Sequence, residues 1–142
     1  MTQPTVSLSS EVARFRDRSE TVRLGVVALA SDLTTEPDFA AIFASADVAL
    51  HVSRLRNANP VTPANLRKMA GRLTEAASLL VEGVPLGVIY YSCTSASVLI
   101  GDAEVAASIN AARPGVPVVT PSGAARQAFA ALGARRIALL TP

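Results

Sequence analysis

The chain has 142 residues, half of them apolar, which is enough for one domain with a hydrophobic core. Thirteen Lys and Arg against eleven Asp and Glu leave a formal charge of only +2, and with few aromatic rings for base stacking a nucleic-acid partner is not expected. One cysteine cannot form an internal disulfide, no Cys and His cluster predicts a metal site, and no apolar run approaches the roughly 20 residues that span a bilayer. These features predict a cytoplasmic protein with neither a metal nor a membrane partner.

Residues 1–22 are polar and rich in hydroxyl side chains, so we expect a flexible N-terminal arm with a short helix around Ser10 to Arg18. From residue 23, short apolar runs alternate with helical patterns. The apolar runs predict strands at 24–30, 46–52, 86–91, 116–120 and 136–141. The helical patterns predict helices at 62–83, 97–109 and 123–132, the last capped by Ser122 and ended by Gly133.

This alternation predicts an α/β fold. Because parallel neighbours need a crossover connection, residues 23–133 are expected to form a three-layer αβα domain with a parallel sheet of four to five strands. In such a sheet, ligands bind beyond the carboxyl ends of the strands. Four segments are expected to meet there: 30–36, 51–56, 92–97 and 120–123.

Cys93 follows the third predicted strand and precedes a helix. A thiolate there would be stabilised by free N–H groups and could act as a nucleophile or base, whereas free cysteines are also among the most buried packing residues. Thr94 and Ser95 supply donors of the kind that hold a carboxylate or an oxyanion, or they cap the helix. Both interpretations stay open on position alone.

Asp32, Thr34 and Thr35 follow the first strand, and Thr34 and Thr35 are candidates for substrate binding. A carboxylate facing the Cys93 loop could orient or deprotonate the thiol or bind a substrate ammonium, or Asp32 could cap the next turn. His51, the only histidine, is expected to pack within its strand rather than to act in catalysis. Ser122 is a further candidate for substrate binding because it follows the fourth strand.

Arg54 and Arg56 could pair with an anionic substrate, or they could simply be solvated. No Gly-rich phosphate loop follows the first strand, so nothing supports a dinucleotide or nucleoside triphosphate. Cys93 has no second cysteine for a thioredoxin-type pair, and there is no G-x-S-x-G elbow.

Three segments together resemble the aspartate/glutamate racemase superfamily. They are RLGVVALASDLTTEPDF, the loop YYSCTSAS, and the ending TPSGAARQAFAALGARRIALLTP; ALHVSRLRN and VTPANLRKMAGRLTEAASLL add to the likeness. The similarity runs from about Arg23 to the last residue, and the nearest branch resembles the maleate cis-trans isomerases, arylmalonate decarboxylases and ectoine-utilisation protein A group.

The resemblance implies a cofactor-independent enzyme with two similar α/β domains and its active site between them. It implies that Cys93 is the first-domain cysteine and that Thr94 and Ser95 hold the carboxylate of a small carboxylate or amino-acid substrate. Asp32 stands where maleate isomerases typically carry Asn and amino-acid racemases carry Asp, which favours the ectoine-utilisation type over maleate itself.

The resemblance also predicts that residues 134–142 are the first strand of a missing second domain, which would carry the second cysteine. We therefore expect a truncated isomerase or racemase whose activity needs a partner to complete the cleft, and a homo-oligomer. The alternative is a non-catalytic α/β module that binds carboxylates or self-associates through a sheet edge, with Cys93 as a packing residue.

Overall fold

The computed structural model describes residues 4–15 and 21–140. Its centre is a four-stranded parallel sheet in the order β2-β1-β3-β4. The strands are β1 (Val22–Leu29), β2 (Val48–Leu55), β3 (Val88–Tyr91) and β4 (Val118–Val119). The predicted parallel α/β architecture is thereby confirmed.

Within the described residues, six helices connect and flank the strands. They are α1 (Thr35–Ile42), α2 (Pro63–Arg67), α3 (Ala70–Ser78), α4 (Thr94–Ile100), α5 (Asp102–Asn110) and α6 (Pro121–Ala131). Helices α3 and α5 pack together on one face of the sheet, and α1 lies on the other, where the Phe39 ring is 5.4 Å from the Tyr90 ring. The three layers follow from this arrangement.

The core lies mainly between the sheet and the α3–α5 layer. Strand β1 is buried on both faces from Leu24 to Ala28, as expected for a central strand of a parallel sheet. Helix α3 buries Leu73, Ala76 and Ala77, which recur at helical spacing. Gly25 faces this layer, where an added Cβ would lie 2.9 Å from Leu80 Cδ1 and 3.0 Å from side-chain atoms of Leu86 and Ile89, so apolar side chains already fill the space above it.

The helix predicted from Ser97 to Ile109 is interrupted. Gly101 has φ +96°, a conformation that side chains disfavour, and it ends α4 and begins α5. The helix predicted after Thr62 is likewise two helices, α2 and α3. As predicted, Thr62 caps the first of them by accepting from the N–H of Asn65 at 3.2 Å.

The prediction that Ser122 caps the last helix was wrong. Thr120 is the N-cap of α6, because its Oγ1 accepts from the N–H of Gly123 at 3.1 Å and Pro121 takes the first helical position. Gly133 ends the helix with φ +63°, as predicted.

The two ends of the chain carry no regular structure where they are described. Residues 4–15 form neither helix nor strand, so the described part of the helix expected around Ser10 to Arg18 is absent, and the remainder lies outside the described residues. Residues 136–140 are exposed and form no strand, while 141 and 142 lie outside the described part. The division into a domain at 23–133 and the start of another at 134–142 stays a prediction.

None of the helices in the described ranges is both long and apolar enough to traverse a bilayer.

Candidate functional site

The loops after β1 and β3 meet at one crevice, since these strands are neighbours in the middle of the sheet. After β1 the chain crosses to β2 on one side, and after β3 it crosses to β4 on the other. The position between β1 and β3 is therefore a topological switch point, where parallel sheets bind ligands. The hydroxyl of Ser92 joins the loops. It donates to Asp32 Oδ2 at 3.1 Å, and its oxygen lies 2.6 Å from Thr35 Oγ1.

Asp32 is fixed by four hydrogen bonds. Besides Ser92, it accepts from the N–H groups of Thr34 and Thr35, each at 3.0 Å, and from the Thr35 hydroxyl at 2.6 Å. Burial alone would raise the pKa of Asp32, but these hydrogen bonds outweigh it and lower the pKa to about 2. Asp32 is therefore an ionised acceptor that caps the start of α1 and holds Ser92, and such a weak base is poorly suited to deprotonate a thiol.

Cys93 is the N-cap residue of α4, with extended backbone at φ −153° and ψ 103°. Its carbonyl accepts from both the N–H of Ser97 at 3.0 Å and the Ser97 hydroxyl at 2.7 Å. Its partly buried side chain packs against the core. Because the helical ladder begins at Ser97, the N–H groups of Thr94 and Ser95 have no acceptor within the helix.

A pocket of about 140 Å³ opens beside Cys93. Most of its lining is apolar, including Leu29, Val61, Leu66 and Met69, and Asn57, Asn65 and Ser95 add polar groups. Ser95 thus lines the pocket beside the thiol, and Thr94 is exposed on the same first turn, while the predicted binding of substrate by both residues stays a prediction. The pocket can hold a small molecule with an apolar part against the core and polar groups towards the α4 turn.

Tyr91 lies beneath this site in the core and is fully buried. Burial first, and the neighbouring Cys93 second, raise the pKa of Tyr91 well above its usual range. No geometrically satisfactory hydrogen bond to the Tyr91 hydroxyl occurs among the described residues. Tyr91 thus stays neutral and keeps an O–H available beside the thiol.

Ser122 belongs to a different cluster. Its hydroxyl donates to Asp102 Oδ1 at 2.6 Å, as does the hydroxyl of Thr120, while Arg126 donates to Asp102 Oδ2 at 2.6 Å. These bonds, with that of Ser122 the strongest, lower the pKa of Asp102. The cluster ties the start of α6 to the start of α5, and no described bond links it to Cys93 or Asp32.

Of the other sequence candidates, Arg54 braces the Asp32 loop. Its guanidinium donates to the carbonyls of Leu29 at 3.1 Å and Asp32 at 2.8 Å and pairs with Glu36. His51 is partly buried in β2, and its Nε2 finds no partner among the described residues. Within the described ranges, no three His, Cys, Asp or Glu side chains are grouped so as to hold a metal ion.

Sequence reasoning missed Ser92 and Tyr91 as members of the site. Both stand at the same strand exit as Cys93, so position alone could have suggested them. The role of Ser92 as the bridge to Asp32 depends on β1 and β3 being neighbours, which the sequence did not reveal.

The sheet, its flanking layers and the paired loops define this chain as a three-layer α/β protein with a cysteine at the switch point of its sheet. No protein-family model matches the sequence, and no curated protein matches it. Solved structures do share the fold.

One such structure is the maleate isomerase Iso from Pseudomonas putida S16, with TM-score 0.67 and 24% identity over 80% of this chain and 50% of that chain. A cysteine-to-alanine form of that enzyme with maleate matches equally well. A cysteine-to-serine mutant of maleate cis-trans isomerase from Nocardia farcinica, with a covalently bound succinylcysteine intermediate, matches with TM-score 0.66 and 24% identity over 80% of this chain and 49% of that chain. The resemblance seen in the sequence is confirmed for the fold, and this chain spans about half the length of these structures.

Proposed function

We propose that the chain provides the cysteine half of a cofactor-independent isomerase or racemase site for a small carboxylate. The observation that carries this proposal is the position of Cys93, at the sheet's switch point and beside a pocket with a polar rim. The solved maleate isomerases, one with maleate and one with a covalent succinylcysteine intermediate, support cysteine chemistry on a cis-enedioate, and we extend this substrate class to the present chain.

For a cis-enedioate, the Cys93 thiolate adds to one alkene carbon and forms a carbon–sulfur bond. The alkene electron pair moves into the adjacent carboxylate as an enediolate, which the N–H groups of Thr94 and Ser95 stabilise. The central bond, now single, rotates. The electron pair then returns to form the trans double bond and expels the thiolate, so no proton is gained or lost overall.

Asp32 has an indirect role in this proposal. Its carboxylate holds Ser92, and Ser92 fixes the backbone immediately before Cys93. The Tyr91 hydroxyl, neutral and buried next to the thiol, is available to donate to the thiolate between turnovers. The N–H groups of Thr34 and Thr35 both donate to Asp32, so we propose that these residues hold the loop in place and do not bind substrate.

The exposed side chains of Thr94 and Ser95 leave this site open to water. Exclusion of water strengthens electrostatic stabilisation of an enediolate, so we propose that further polypeptide forms the opposite wall of the cleft. The chain as given is expected to bind carboxylate and to form the sulfur adduct, but to turn over slowly.

The test incubates the folded chain and its Cys93→Ser variant with maleate and analyses both by mass spectrometry. We expect one maleate added to the original chain, located at Cys93 by peptide mapping, and none on the variant. Iodoacetamide should also alkylate Cys93 faster in the folded chain than in the urea-denatured chain at pH 7. Succinate binding that is equal in both proteins, without any adduct or rate advantage, would identify a carboxylate-binding module and contradict the enzyme proposal.

A further inference from the structure

A second cleft, of about 250 Å³, lies between the end of β2 and helix α3. It shares no lining residue with the pocket at Cys93. Three of its seven lining residues are arginines, two from the end of β2 and one from α3, and a single acid accompanies them. The lining consists of Arg54, Leu55, Arg56, Arg72, Glu75, Ala76 and Leu79.

Two of these arginines, Arg56 and Arg72, have no carboxylate partner among the described residues. Arg72 donates to the backbone carbonyl of Arg56 at 2.9 Å, which fixes the guanidinium but leaves its charge uncompensated. No bond or ion pair involves the guanidinium of Arg56 among the described residues. Glu75 lines the cleft without pairing with either of them, and Arg54 alone has a carboxylate partner, Glu36.

A cleft lined by several like charges attracts a ligand of opposite charge. Guanidinium groups bind carboxylate and phosphate oxygens through paired, charge-assisted hydrogen bonds. Leu55 and Ala76 are buried and form the apolar floor of the cleft. Small molecules bind in concave clefts of about this volume more readily than on flat, extended surfaces.

We propose that this cleft is a binding site for a small polyvalent oxyanion, a phosphate or a polycarboxylate, held mainly by Arg56 and Arg72. Arg54 connects it to the first site, because the same guanidinium that lines the cleft donates to the carbonyl of Asp32. Glu75 limits the affinity by repelling the anion.

The test titrates the full chain separately with inorganic phosphate and with citrate, against sodium chloride at the same ionic strength, and follows the arginine side-chain N–H signals by NMR. We expect saturable shifts with phosphate or citrate and none with chloride. Arg56→Gln and Arg72→Gln should each weaken binding by on the order of tenfold. Glu75→Gln should strengthen it, because the repulsion is removed.

Arg67→Gln is the matched control, since Arg67 is exposed at the end of α2 and does not line the cleft. It should leave the affinity unchanged. The side chain of Arg56 makes no described hydrogen bond or ion pair, so Arg56→Gln remains informative if Arg72→Gln unfolds. Saturation by phosphate alone assigns a phosphate ligand and saturation by citrate alone a carboxylate. Equal responses to all three salts, or equal losses in the Arg56 and Arg67 variants, would overturn the proposal.

Discussion

Replacing Asp32 with Asn distinguishes between two roles for its carboxylate. One is to act as the base for Cys93, and the other is to act as a brace that links the loops after β1 and β3 through Ser92. The pKa of this carboxylate, about 2, lies about 6.5 units below that of a free thiol, which corresponds to a gap of about 9 kcal/mol for proton transfer. We therefore expect the Asp32→Asn variant to be alkylated at Cys93 at pH 7 as fast as the original chain or slightly faster, because a nearby negative charge has been removed.

The free energy of unfolding of the Asp32→Asn variant should change, in contrast to its alkylation rate. The shift of the Asp32 pKa from 3.8 to about 2 corresponds to at most about 2.5 kcal/mol, and partial exposure to solvent reduces this to about 1–2 kcal/mol. Because the pKa is lowered in the folded state, this contribution is fully present above about pH 4 and is lost as the pH falls towards 2. The Asn variant lacks it at every pH.

The assay is urea unfolding followed by circular dichroism at pH 7 and pH 3, together with iodoacetamide rates at pH 7. The variant should be less stable at pH 7, and the difference should shrink at pH 3. Glu82→Gln, an exposed acid with no described bond, serves as the control. A tenfold fall in the alkylation rate of the folded Asn variant would mean that Asp32 acts as a base, and an unchanged stability at pH 7 would mean that it is not a brace.

Three further substitutions test the packing around the site, each by urea unfolding. Gly25→Ala should cost about 1–3 kcal/mol, because the new Cβ would lie 2.9 Å from Leu80 Cδ1 and 3.0 Å from Leu86 and Ile89, and a neutral result would show that these side chains move aside without cost. Gly71→Ala should stabilise by about 0.5 kcal/mol, since nothing lies within 4 Å of the added Cβ, and a loss of stability would contradict that open space. Thr120→Val should cost about 1–2 kcal/mol through loss of the α6 cap and of the bond to Asp102, and wild-type stability would show that this cap is dispensable.

The central strands were predictable because their sequences are runs of apolar residues, as buried strands require. Strand β1 has five consecutive buried residues, and β3 is a short apolar run that ends just before Ser92. Such runs, with helical spacing between them, leave few alternatives to a parallel sheet. The strand exits then located Cys93 and Asp32 at one edge.

Helix α1 was not predicted, and its composition explains why. Thr35–Ile42 buries no residue completely, so it lacks the apolar stripe that indicates a helix, and its beginning depends on the Asp32 carboxylate. The break at Gly101 was missed for a related reason. A single glycine within a helical pattern is often tolerated, and only its positive φ shows the interruption.

The site was predicted in part. Cys93 and Ser95 border one pocket, whereas Ser122 bonds to Asp102, which lies 20 residues earlier in the chain and was not considered. Which polar side chains share a cluster depends on the direction in which each helix leaves its strand. Residue spacing alone does not contain that information.

The Ser92–Asp32 contact joins residues 60 positions apart, and α1, β2, α2, α3 and β3 lie between them. Closing so long a segment is entropically costly until the intervening chain is ordered. We therefore expect the loops of the candidate site to come together late in folding. The reactivity of Cys93 consequently reports on the completed assembly of the sheet, and substitutions that loosen α2 or α3 should impair it while helix content is still retained.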